Sequence, residues 1–173
     1  MKKIGLVGGI SWSSTIEYYR LINEGINKKL GGLNYAECLI YSVNFNHFQR
    51  ANAAHDWSSA LALLSGAAVN LEKAGADMIL LCANTAHIVA DGVSDRINIP
   101  LIDIRTATIN AIQAKGLKKI GLLGTSYTME LDFYKSRLQD SGIEVIIPAA
   151  AADRARGREL IRRCRLRLRR EVG

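Results

Sequence analysis

Lys2-Lys3-Ile4-Gly5-Leu6-Val7-Gly8-Gly9 and Lys118-Lys119-Ile120-Gly121-Leu122-Leu123-Gly124-Thr125 are two statements of one phrase. Each is a short apolar run that leads into glycine, the pattern of a buried strand ending in a tight turn. Its recurrence divides the chain into two related halves. In the first half, the strand at 4–7 leads to a helix with Ser13 or Ser14 as the expected cap and Glu17 in the first turn. Ile16, Tyr19, Ile22, Asn23 and Ile26 give that helix a mostly apolar face, and Gly31-Gly32 ends it. A second strand is expected at 38–43, a polar loop or short helix at 44–56, a helix at 58–74 stopped by Gly75, and a third strand at 77–82. A helix after Thr85 and a short strand at 100–103 follow, and then a helix at 105–115 ended by Gly116. The phrase then restarts, with a strand at 119–123, a helix at about 127–140 and a strand at 143–147.

Strands alternating with helices predict an α/β fold with right-handed crossovers. The expected architecture is two similar doubly wound parallel-sheet domains in pseudo-duplication, the second incomplete. The divisions are 1–104 for the first domain, 105–148 for the start of the second, and 149–173 for an Arg-rich atypical tail. Ligands of such sheets bind beyond the carboxyl ends of the strands. The loops at 8–14, 44–52, 82–87 and 124–128 are therefore expected to share one rim.

Composition narrows the class. Hydrophobic residues make up 49% of the 173, enough for a core, and aromatics only 6%, which favours α/β layers over a β-sandwich. No apolar run approaches the roughly 18 residues of a membrane span, and the N-terminus lacks a plausible signal cleavage site. A cytoplasmic protein with no membrane partner is expected. Cys38, Cys82 and Cys164 have no metal-ligand spacing, and their odd number points to reduced thiols.

The net charge of +7 is unevenly placed. Residues 151–173 hold nine Arg against Asp153, Glu159 and Glu171, whereas residues 1–150 hold 14 basic and 13 acidic side chains. A nearly neutral body argues against nucleic acid as a partner. The switch after Pro148 to an Arg-dominated composition reads as translation in a wrong frame, with a genuine basic tail as the alternative.

Several residues could carry chemistry. Cys82 stands where an apolar strand meets the polar turn Ala83-Asn84-Thr85. Helix N–H groups beyond it would lower the thiol pKa and attract a carboxylate. The alternative is a buried strand-end cysteine acting as a small hydrophobe. Ser11 lies in the loop after the first strand, where two glycines permit close approach to a small anion, although a plain capping turn explains it equally. Thr125 and Thr128 occupy the equivalent loop of the second half. Arg50 and Asn52 sit in the polar stretch 44–56, and His87 is one turn past Cys82, placed either to polarise the thiol or to serve the core.

Together these residues make the chain resemble the aspartate/glutamate racemase family, in particular its aspartate-racemase-like branch. The resemblance rests on Ile4-Gly5-Leu6-Val7-Gly8-Gly9-Ile10-Ser11-Trp12-Ser13-Ser14-Thr15, on Cys82-Ala83-Asn84-Thr85-Ala86-His87 and on Ile120-Gly121-Leu122-Leu123-Gly124-Thr125, over roughly residues 1–148. It implies two similar domains with the active site between them, no metal and no cofactor, and one cysteine per domain on opposite faces of a substrate α-carbon. Cys82 matches the first of these. Asn84 and Thr85 match residues that hold the α-carboxylate and amine, and Ser11, Asn52 and Thr125 fall where the family lines its pocket. The substrate class implied is a small amino acid, aspartate or glutamate first.

Three departures stand out. Many members have Gln where Asn52 stands, and many place Asn directly after the cysteine, where Ala83 intervenes here. The family's second cysteine lies in a Gly-Cys-Thr-Glu run that does not occur in this sequence, and its counterpart would fall at about position 198. Impaired racemisation is expected, as is exposed apolar surface favouring a homodimer. The competing readings are a non-catalytic module that binds a small acidic amino acid, and a nucleic-acid-binding protein acting through 154–170. Sequencing the gene past codon 148 tests the frame reading: an adjacent frame should continue the α/β pattern and supply a second cysteine near position 198.

Overall fold

The structure, a computed structural model, describes residues 1–149 together with Ala155, Gly157 and Glu159. The remainder of the Arg-rich stretch, including Cys164 and the frame reading placed on it, lies outside the described residues. The chain divides into two compact units, Met1–Asp103 and Ile104–Gly173. Each has its own parallel sheet and helices, and the fold is α/β.

In the first unit, β1 (Ile4–Gly8) is the central strand, flanked by β2 (Cys38–Ser42) and β3 (Met78–Leu81), all parallel. Leu6 and Val7 have no solvent exposure, as a strand covered on both faces requires. The expected fourth strand at 100–103 is an isolated bridge, Leu101 beside Ile79. Between the strands run α1 (Trp12–Leu30), α2 (Phe45–Ala53) and α3 (Trp57–Lys73). After β3 come a 3₁₀ helix, Asn84–Val89, and the short α4 (Ala90–Ser94). The core lies between the sheet and α3, where Leu64, Ala68 and Leu71 meet Val7, Ile79 and Leu81. Each fully buried Leu or Val there contributes about 1.5–3 kcal/mol relative to exposure.

The first helix departs from its expected pattern. Ser11, not Ser13 or Ser14, is its N-cap, and Ser11 makes no side-chain capping bond. Glu17 lies beyond the first turn and pairs with Arg20. Thr15 is the buried residue of α1, while Ile16 and Tyr19 are exposed. The apolar spacing is helical, but the helix lies on the sheet through a neighbouring stripe. Ser14 is used differently too, as described below.

The second unit begins with α5 (Ile104–Ala114), followed by β4 (Lys119–Gly121), α6 (Ser126–Glu130), α7 (Asp132–Asp140) and β5 (Glu144–Ile146). β4 and β5 pair in parallel with Lys119 opposite Glu144, and those two side chains form an ion pair at 2.7 Å. The single helix expected near 127–140 is two, broken at Leu131, whose backbone is extended. Tyr134, Leu138 and Ile143 form its buried cluster, against which Ile120 and Val145 pack.

Both copies of the repeated phrase use the same device. A Cβ on Gly8 would lie 2.5 Å from Thr15 Cγ2, and one on Gly124 would lie 2.9 Å from Thr128 Cβ. In each unit a glycine at or just past the strand end thus lets a buried threonine of the following helix approach the backbone. The constraint at Gly9 is harder still: its φ is +82°, and a Cβ there would sit 2.2 Å from the Val43 carbonyl oxygen. Gly9→Ala should therefore destabilise the first unit by at least about 2 kcal/mol. Gly25→Ala, inside α1 with nothing within 4 Å of the new Cβ, should stabilise it by up to about 1 kcal/mol. Denaturant unfolding of the two variants checks both signs.

Candidate active site

A sheet with strand order β2-β1-β3 reverses its winding between β1 and β3. Ligand crevices of open α/β sheets lie at such a switch point, beyond the carboxyl ends of the strands. Three segments emerge at this edge. β1 runs into Gly9–Ser11, β2 into Val43 and Asn44, and β3 into Cys82 and Ala83. Backbone bonds align them: Val43 N–H donates to Gly8 O and Cys82 N–H to Val7 O, each at 3.0 Å.

Cys82 is held on both sides of its peptide. Its N–H is bonded to β1, and its carbonyl accepts the Ser14 hydroxyl at 2.6 Å. The first turn of α1 is thus tied across the switch point to the end of β3. Ser11 shapes the same corner. Its carbonyl accepts the N–H groups of Ser14 and Thr15, and its hydroxyl lies 2.8 Å from that of Ser13.

The Cys82 side chain has no solvent exposure. Burial pushes its thiol up to about 12, because a thiolate there would lose its water. This corrects the expectation of a lowered thiol pKa. The segment beyond Cys82 opens as a six-residue 3₁₀ helix, not a long α-helix.

Asn84 opens that 3₁₀ helix and is exposed, and Thr85 beside it is half-buried. His87 is buried. Its Nδ1 lies 3.0 Å from the Ala83 carbonyl oxygen, and its Nε2 is 3.7 Å from Asp103 Oδ1. Asn52 lies on α2, the helix that leaves the end of β2. It is only 3% exposed, and its Oδ1 has no hydrogen-bond partner among the described residues. An unpaired buried acceptor costs about 1–3 kcal/mol, so such an atom is a natural place for a ligand's donor.

The first unit therefore contains Ser11, Asn52, Cys82, Asn84 and Thr85, with Ser11, Cys82 and Asn84 at the switch-point corner. Thr125 belongs to the second unit. There it caps α6, its hydroxyl accepting the Thr128 N–H at 3.3 Å and lying 3.1 Å from the Thr128 hydroxyl. Sequence reasoning missed the tie from Ser14 to Cys82. The run of three hydroxyls at 11, 13 and 14 is the signal that could have found it.

The first unit thus carries a buried thiol at the switch point of a parallel α/β sheet. The chain belongs to the Asp/Glu/hydantoin racemase family, whose profile matches residues 7–166. It is 32% identical over 146 residues to the broad specificity amino-acid racemase RacX of Bacillus subtilis (strain 168), covering 83% of this chain and 63% of that protein. The chain thus spans less than two thirds of that relative. Among solved structures, it resembles a candidate Asp/Glu racemase from Yersinia pestis at a TM-score of 0.87 and 47% identity, over 94% of this chain and 71% of the other. An aspartate racemase homologue from Pyrococcus horikoshii OT3 gives 0.81 and 38%, over 89% and 67%.

The raised thiol has a consequence for stability. The folded chain holds the Cys82 proton more tightly than the unfolded chain, where a thiol ionises near 9. This stabilisation is full below about pH 9 and drains away as pH rises toward 12, by up to about 1.4 kcal/mol per pH unit. Cys82→Ala should flatten that part of the profile. Denaturant midpoints of both proteins from pH 8 upward, compared as differences, provide the check; equal slopes would contradict it.

Proposed function

We propose that this chain is an amino-acid racemase of the aspartate/glutamate type, in which the Cys82 thiolate removes the substrate α-proton. The observation that carries the reading is the buried thiol at the switch point of a racemase-family sheet, followed at once by Asn84 and Thr85. An α-proton is a very weak acid, so its removal calls for a strong base in a dry site, with fixed donors around the developing negative charge. A thiol kept from ionising by burial gives a more basic thiolate once it does ionise, at the cost of a small thiolate population near neutrality. The C–H bond breaks with its electron pair left on the α-carbon, the proton passes to sulfur, and reprotonation completes the exchange.

Asn84 and Thr85 are assigned to the α-carboxylate and amine, and Ser11 to the pocket wall. Asn52 is assigned to a donor of the ligand, which its unpaired Oδ1 suits. Thr125 is assigned through its match to the family motif alone. The reaction needs no cofactor in this reading. In this reading Cys82 acts on one face of the substrate α-carbon.

A cytoplasmic homodimer completes the reading, with exposed Ile16 and Tyr19 of α1 and Ile40 and Tyr41 of β2 as the apolar surface that favours it. A monomer mass in light scattering would remove the dimer. The competing reading, a non-catalytic module for a small acidic amino acid, rests on the same pocket.

Proton NMR in D2O with each enantiomer of aspartate and glutamate separates the two. Loss of the α-proton signal is expected with at least one enantiomer, reduced at least about 100-fold in Cys82→Ser. Binding seen by calorimetry without exchange would favour the module, and exchange surviving in Cys82→Ser would remove Cys82 as the base.

A further inference from the structure

We infer that His87 is a positioning residue, a latch that fixes the turn carrying Cys82 by donating its Nδ1–H to the Ala83 carbonyl. The inference rests on the proposed role of the Cys82–Ala83–Asn84–Thr85 turn. Three main-chain groups of this turn have assigned partners. Cys82 N–H is held by Val7 O at 3.0 Å, Cys82 C=O by the Ser14 hydroxyl at 2.6 Å, and Ala83 C=O by the His87 ring at 3.0 Å. The first two come from β1 and α1. The third comes from within the 3₁₀ helix and closes the turn on the side that leads to Asn84 and Thr85.

The chemistry of the contact settles its direction. A carbonyl oxygen can only accept, so Nδ1 carries the hydrogen. The other ring nitrogen faces the Asp103 carboxylate at 3.7 Å, just past the Leu101 bridge to β3. The ring is 1% exposed and is set between the turn and the segment that follows the bridge. A ring bonded at Nδ1 and closed off from solvent has little freedom to swing, so the Ala83 carbonyl cannot drift and carry the thiol out of register. Such a latch acts on geometry, and small displacements of a reacting group are costly in rate.

The fold itself supplies the control for a test. Asn23 in α1 donates its side-chain N–H to the carbonyl four residues before it, Tyr19, at 2.8 Å. His87 makes the same four-residue reach to Ala83, so His87→Asn can keep the bond, whereas His87→Leu keeps much of the volume and loses the donor. The readout is the rate at which iodoacetamide labels Cys82 in the full chain, mapped by peptide mass so that Cys38 and Cys164 are scored separately. Labelling of a buried thiol reports how often the turn opens.

His87→Leu should label Cys82 about threefold to tenfold faster than the unaltered chain, the population effect of one hydrogen bond. Its α-proton exchange should fall at the same time, so the two readouts move in opposite directions. His87→Asn should stay within about twofold of the unaltered chain on both. Circular dichroism establishes that each variant is folded; if His87→Leu is not, the Asn variant and the unaltered chain decide the matter. The inference is overturned if His87→Asn labels as fast as an opened turn, or if a folded His87→Leu labels at the unaltered rate. An unaltered chain without any α-proton exchange would sink the racemase reading and leave the labelling rates to judge the latch alone.

Discussion

The close approach of the β1 terminus to its neighbours is the constraint on which the first unit depends. At Gly9 a single added carbon would meet the Val43 backbone at 2.2 Å, and at Gly8 it would meet Thr15 at 2.5 Å. Because those carbons are absent, the chain turns sharply enough for Val43 N–H to reach Gly8 O and for Thr15 to pack under the turn. α1 then starts at once, close enough for Ser14 to bond the carbonyl of Cys82. Two glycines thus hold together three strand ends and the first turn of a helix, and the thiol is fixed by the result.

That thiol illustrates a conflict between stability and chemistry. Burial removes water from Cys82 and makes it a good core residue in its neutral form. The same burial holds its ionisation far above neutral pH. A structural cysteine would gain from this and need nothing more. A base needs the opposite form to be reachable, and a bound cationic amine or nearby donors could supply the missing stabilisation only while substrate is present. The buried Oδ1 of Asn52, unpaired among the described residues, is the same kind of feature, a polar atom kept at a cost.

Much of the fold was legible. The phrase at 2–9 and its repeat at 118–125 mark β1 and β4, and Gly31, Gly75, Gly116 and Gly142, which end helices in the sequence pattern, all have positive φ. The strand at 100–103 was less so, because four apolar-rich residues cannot distinguish a strand from a single bridge. The burial of α1 was misread because Ile16 and Tyr19 have helical spacing but face solvent, while Thr15, a weak hydrophobe, is the residue packed beneath Gly8. Spacing reveals that a helix has a stripe, not which stripe its neighbours cover.

Local periodicity and the places where glycine permits a turn are enough to set the alternation of strands and helices, the duplication and the position of Cys82 at a strand end. The electrostatic state of that cysteine, the partners of His87 and Ser14 and the burial of Asn52 depend on the folded chain. Solvent exclusion and hydrogen-bond pairing depend on which distant segments meet. Ser14 lies 68 residues from its acceptor on Cys82, and no local pattern records a contact of that range.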